Sequence, residues 1–126
     1  MPLHKHIMIN GYSDNPPKDE AATIKWMKDL IESIDMKILQ GPFASYVTKE
    51  GNRGLTCVAM IETSHVALHV WDEEEPAFIQ FDLYTCGRMA QGFIIDQIKD
   101  FMQVSDARYL TMDRAEGFQV IDEGFF

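Results

Sequence analysis

The chain has 126 residues, 46% of them hydrophobic and 11% aromatic, which suffices for one domain (1–126) with a real core but leaves little chain to enclose a ligand unaided, so an oligomer is expected. A formal net charge of -9 excludes a nucleic-acid partner, which needs clustered Lys and Arg, and suits a cationic small molecule better. No apolar run approaches the roughly 18 residues of a membrane span, and Met1 to Gly11 lacks the apolar core and cleavage site of a secretion signal. The expectation is a soluble, cytoplasmic protein without a membrane partner, whose two cysteines, Cys57 and Cys86, are free thiols.

Leu3 to Asn10 alternates weakly and predicts a strand, and Gly11 to Pro17 is turn-rich. Asn15-Pro16-Pro17 suits a helix start, and a helix over Lys18 to Ile34 follows, with Ile24, Met27, Ile31 and Ile34 on one stripe. Met36 to Leu39 reads as a short strand. Gly41-Pro42 and Lys49 to Gly54 break the chain around a segment of undetermined structure containing Phe43, Tyr46 and Val47. Three strands come next, Leu55 to Glu62, His65 to Trp71 and Ala77 to Thr85, joined by short connections into an antiparallel meander. A second helix over Met89 to Met102 carries Ile94, Ile95, Ile98, Phe101 and Met102 on one face, and a last strand covers Ala107 to Met112. This order predicts an α+β fold, a two-layer sandwich with helices on one face of a largely antiparallel sheet.

Successive side chains on a strand point to opposite faces, so the faces can be compared. One is cleanly apolar: Ile7 and Ile9; Leu55, Cys57, Ala59 and Ile61; Val66, Leu68 and Val70; Ala77, Ile79, Phe81 and Leu83. The other collects His4, His6, Thr56, His65, His69, Trp71, Phe78, Asp82 and Tyr84, with Cys86 continuing the row. Such a surface reads either as a half-solvated face or as one that packs on a second copy of the sheet, giving a four-layer αββα homodimer with a ligand site in the gap.

The histidines do not make a metal site on this reading. His65 and His69 have the four-residue spacing that serves zinc on a helix, but on a strand they stand about 13 Å apart. His4 and His6 share a face without identifiable partners, so no metal is assigned. Ser64 beside His65 lacks a Gly-x-Ser-x-Gly elbow and a carboxylate that can be placed, which leaves a hydrolase triad without support.

There remain Glu62-Thr63-Ser64-His65-Val66-Ala67-Leu68-His69-Val70-Trp71 and Asp82-Leu83-Tyr84-Thr85-Cys86-Gly87. A Ser-His pair opening a strand, a histidine five residues after the serine and a later strand ending in Thr-Cys-Gly resemble the self-processing region of prokaryotic S-adenosylmethionine decarboxylases. The element order is similar over nearly the whole chain, and the resemblance is best from Leu55 to Gly87. It implies a proenzyme that cuts itself between Thr63 and Ser64, converting Ser64 into a covalent pyruvoyl group, the cofactor of a decarboxylation that serves polyamine biosynthesis. His69 then assists the elimination, Thr56 stands where the family has a serine that supports processing, and Cys86 is the proton donor. Glu73 matches a family glutamate suited to the ribose or sulfonium end of the substrate, and Phe43 and Tyr46 resemble an aromatic pair that stacks on adenine, once an insertion is allowed. The family pattern has glutamate before the serine, where this chain has Thr63, and the loop from Trp71 to Asp82 is about two residues longer than the family form. Two alternatives stay open: a decarboxylase of another amino acid, such as arginine or ornithine, and an unprocessed, non-catalytic relative that binds a nucleoside or pairs with an active subunit.

Overall fold

In the computed structural model, which describes residues 3–126, each segment read as alternating forms a strand. The elements in chain order are β1 (Lys5–Ser13), α1 (Glu20–Ser33), β2 (Ile38–Val47), β3 (Gly54–Ile61), β4 (Ser64–Trp71), β5 (Ala77–Thr85), α2 (Gln91–Met102), β6 (Ser105–Asp113) and β7 (Gln119–Phe125). The strands make one seven-stranded sheet in the order β2-β3-β4-β5-β1-β6-β7, and every pairing is antiparallel. The predicted apolar rows are buried to the last residue, from Ile7 and Ile9 on β1 to Leu83 on β5. Against them lie Met27, Leu30 and Ile31 of α1 and Ile94, Ile98 and Met102 of α2, and the helices meet where Trp26 stacks on Phe101 at 4.8 Å. The fold is the expected α+β sandwich, with both helices on one face of the sheet.

Helix α1 begins two residues later than the prolines suggest. Asp19 is the N-cap, its carboxylate accepting the Ala22 N–H at 2.9 Å, so a side chain rather than ring geometry sets the start. The largest difference from the sequence reading is β2. Predicted to stop at Leu39, it runs on through Gly41-Pro42 and ends at Val47. A proline is tolerated there because β2 is an edge strand, and its pairing with β3 shifts register on either side of Gln40. Strand β7 has no counterpart in the sequence reading, since Gln119–Phe125 is exposed at nearly every position and shows no alternation. No helix among the described residues is long and apolar enough to cross a membrane.

Gly54 shows how tightly β3 is set against β4. Its φ is 148°, and a Cβ there would lie 1.8 Å from the Val70 carbonyl oxygen. Gly54→Ala is therefore expected to cost on the order of 3 kcal/mol through strain and forced displacement. A denaturation midpoint equal to the parent's would show that this approach is not needed.

Candidate active site

The connection from β3 to β4 is as short as a hairpin allows: Ile61 pairs with Ser64, leaving Glu62 and Thr63 to turn the chain. Ser64 also pairs with Thr85 on β5, so the backbone is gripped from both sides. Its φ is 147°, a value that residues other than glycine rarely adopt and that carries strain of about 1–3 kcal/mol. The carbonyl oxygen of Thr63 accepts the backbone N–H of Cys86 at 3.2 Å. The Thr85 hydroxyl donates to Thr63 Oγ1 at 2.8 Å and accepts the Gly87 N–H at 2.9 Å. Cys86 is exposed just past the end of β5, and a cleft of about 500 Å³ opens beside Lys37, Glu62, Thr63, Gly87 and Arg88.

A second group occupies the far end of β4 on the sheet face without helices. Thr56 and His69 are cross-strand partners, with Thr56 Oγ1 3.4 Å from His69 Nδ1. Beyond them Trp71 stacks on Phe78 at 5.8 Å, and Phe78 meets Tyr12 at 5.5 Å. These three rings, with Arg53, Glu73 and Glu74, line a cleft of about 440 Å³. At about 3.3 Å per residue, His69 stands ~16 Å and Trp71 ~23 Å along β4 from Ser64. Thr56 and His69 are thus together, as their alternation suggests, but within one chain they are remote from the Thr63–Ser64 bond.

Between the two ends lies a polar relay. Asp82 Oδ2 is 2.7 Å from His6 Nε2 and 3.0 Å from His65 Nε2. Arg114 Nη1 approaches His6 Nδ1 at 3.1 Å, and its guanidinium lies 4.1 Å over the Tyr84 ring. Arginine can only donate, so His6 Nδ1 accepts, the ring proton sits on Nε2, and Asp82 receives it. The donor atoms of His6, His65 and Asp82 lie within 4.8 Å of one another, a spacing that suits a cation, but the Arg114 charge and the tautomer it imposes favour a hydrogen-bonded relay. The sequence reading put all three residues on this face without joining them; the missing fact was that β1 lies beside β5, which no local pattern encodes.

Burial pushes the Asp82 carboxyl up, and the hydrogen bonds from His6 and His65 outweigh that, leaving it below its ordinary 3.8. A group whose folded value is depressed stabilises the fold fully above about pH 4 and stops doing so as the pH falls through the folded value. Asp82→Asn is expected to flatten the acid limb of a plot of melting temperature against pH. An acid limb as steep as the parent's would mean that Asp82 carries none of that dependence.

The aromatic pair resolves differently. Residues 43 and 46 are three apart on β2, so they project to opposite faces. Phe43 pairs with Val58 and is 60% exposed on the open face. Tyr46 pairs with Leu55 on the helix side, where its hydroxyl donates to Asp72 at 2.7 Å. The two do not form a common stacking surface in this chain. Glu73 is also engaged, as Oε1 accepts the backbone N–H groups of Gly51 at 2.6 Å and Arg53 at 3.1 Å. It anchors the β2–β3 loop while lining the aromatic cleft.

The S-adenosylmethionine decarboxylase family profile matches residues 5–115, from β1 to the end of β6. The chain belongs to that family. It is 30% identical over 101 residues to the S-adenosylmethionine decarboxylase proenzyme of Pyrobaculum aerophilum, covering 76% of this chain and 77% of that protein. Against the proenzyme of the same name from Pyrobaculum neutrophilum it is 34% identical over 103 residues, 75% of this chain and 78% of the other. Both ends of β4 and the relay residues His6, His65, Asp82 and Arg114 fall inside the family match, whereas β7 lies beyond it.

Proposed function

We propose that this chain is a proenzyme that cuts itself between Thr63 and Ser64 and then, as a homodimer, decarboxylates S-adenosylmethionine in a soluble, cytoplasmic setting, supplying polyamine synthesis. The observation that carries the reading is the Thr63 carbonyl held on the Cys86 N–H beside a serine at φ 147°. Attack of Ser64 Oγ on that carbonyl carbon puts negative charge on its oxygen, where a donor is already aimed. The C–N bond then breaks, an ester C–O bond replaces it, and the hydroxyl proton ends on the freed Ser64 nitrogen. Relief of the backbone strain at Ser64 favours this exchange. Loss of the Ser64 α-proton with rupture of its Cβ–O bond releases residues 1–63 as a carboxylate. Water then replaces the nitrogen of the resulting unsaturated residue, releasing ammonia and leaving a pyruvoyl group at the head of residues 64–126. That group supplies an electron-withdrawing ketone to the decarboxylation.

The distance between the two ends of β4 supports a dimer. Stacking two open sheet faces about a twofold axis that lies across the strands runs one β4 against the other in the opposite sense, which carries the partner's Thr56 and His69 toward the turn that holds Ser64. The same packing covers Tyr12, Phe43, Val58 and Met60, all at least 39% exposed in the single chain. On this arrangement His69 of the partner subunit takes the α-proton, Thr56 orients its ring, and the Cys86 thiol returns a proton after carbon dioxide leaves. Trp71, Phe78 and Tyr12 offer π-faces to a sulfonium cation or an adenine, with Glu73 and Glu74 adding negative charge.

Intact-mass measurement tests the first half: purified protein is expected to give two species meeting at Thr63 and Ser64. A single uncut chain after prolonged incubation would favour the non-catalytic relative. Carbon dioxide release from S-adenosylmethionine, arginine and ornithine tests the second half, and release from either amino acid but not from the sulfonium compound would reassign the substrate.

A further inference from the structure

We infer that Thr85 is a positioning residue for the self-cleavage, its buried hydroxyl pinning the turn so that the carbonyl to be attacked stays on the Cys86 N–H. The inference rests on the self-cleavage reading above and adds a residue to its machinery. On β5 the row facing the helices runs Ala77, Ile79, Phe81, Leu83 and then Thr85, fully buried. Valine would continue that row without asking for a partner, since a buried hydroxyl must be satisfied. Both partners of Thr85 belong to the cleavage site. It accepts the N–H of Gly87, which fixes the chain on the far side of Cys86, and it donates to Oγ1 of Thr63, the residue whose carbonyl is attacked.

One hydroxyl therefore ties together the two strands that meet at the scissile bond. Thr63, standing where the family pattern has glutamate, keeps an oxygen that can take the Thr85 proton. Without the pin, Glu62 and Thr63 are free to rotate, the Cys86 N–H loses its aim, and the strain at Ser64 relaxes before the ester forms. Thr85 need not touch the reacting atoms. Its effect passes through Thr63 and the backbone of residues 86 and 87.

The test follows conversion of full-length chain to fragments after cell-free synthesis, for the parent and for Thr85→Val, Thr85→Ser and Thr63→Val. Thr85→Val is expected to cut roughly 100-fold more slowly, about the loss seen when one oxyanion donor is removed, and Thr63→Val to slow as well. Thr85→Ser, which keeps the hydroxyl, is expected to return cutting to near the parent rate. At neutral pH hydroxylamine severs esters while leaving ordinary backbone amides intact, so added to the stalled valine variant it should release no fragment ending at Thr63, because the block precedes the ester. A valine variant that cuts as fast as the parent, one that accumulates a hydroxylamine-labile ester, or a serine variant that fails to recover would each overturn the role. If the parent itself never cuts, the self-cleavage reading fails and this role goes with it; parent cutting matched by Thr85→Val fails the role alone.

Discussion

Ser64→Ala is expected to remain a single 14.5 kDa chain indefinitely and to release no carbon dioxide, whereas Cys86→Ala is expected to cut and then turn over 10²–10⁴-fold more slowly, the usual loss of an acid–base group. The contrast follows from which atom of each residue is used. On the proposed mechanism Ser64 gives its own hydroxyl to the new ester, and alanine has nothing to offer in its place. Cys86 contributes its backbone N–H to the Thr63 carbonyl, and that group survives any side-chain change except to proline. On the proposed mechanism its thiol, exposed in the structure, serves mainly to return a proton during turnover. Mass spectrometry of both variants, with carbon dioxide release per fragment pair, separates the two functions. Fragments from Ser64→Ala, or a Cys86→Ala chain with parental turnover, would break the assignment.

How far the sequence led depended on the range of the interaction. Period-two alternation placed every buried apolar side chain on β3, β4 and β5, because one face of each strand must satisfy the same core. Helix stripes were legible for the same reason. Strand β2 was not, since Gly41-Pro42 reads as a break and only its place on the sheet edge lets the strand continue through it. Losing β2 also hid the parity that sets Phe43 and Tyr46 on opposite faces. The relay of His6, Asp82 and His65 needs three strands that are distant in the chain, and the pin of Thr85 on Thr63 needs two. Thr85 left a trace even so, as a hydroxyl where the β5 row calls for a hydrocarbon.

Mixed dimers provide the sharpest check on the shared site. If Ser64 and Cys86 of one subunit work with Thr56 and His69 of the other, a Ser64→Ala homodimer and a His69→Ala homodimer both lack any complete site. A dimer of one chain of each kind differs, because the intact Ser64 of the His69→Ala chain faces the intact His69 of the Ser64→Ala chain. Co-expression is therefore expected to restore cutting, and only the His69→Ala chain should be cut. Random pairing makes about half the dimers mixed, each with one good site of two, so activity should return to about a quarter of the parent's. Tagging the two chains differently lets a gel report which one has been cleaved. Were the whole site built within one chain, no mixture would recover, yet a strand rising about 3.3 Å per residue holds residues 64 and 69 of that chain ~16 Å apart.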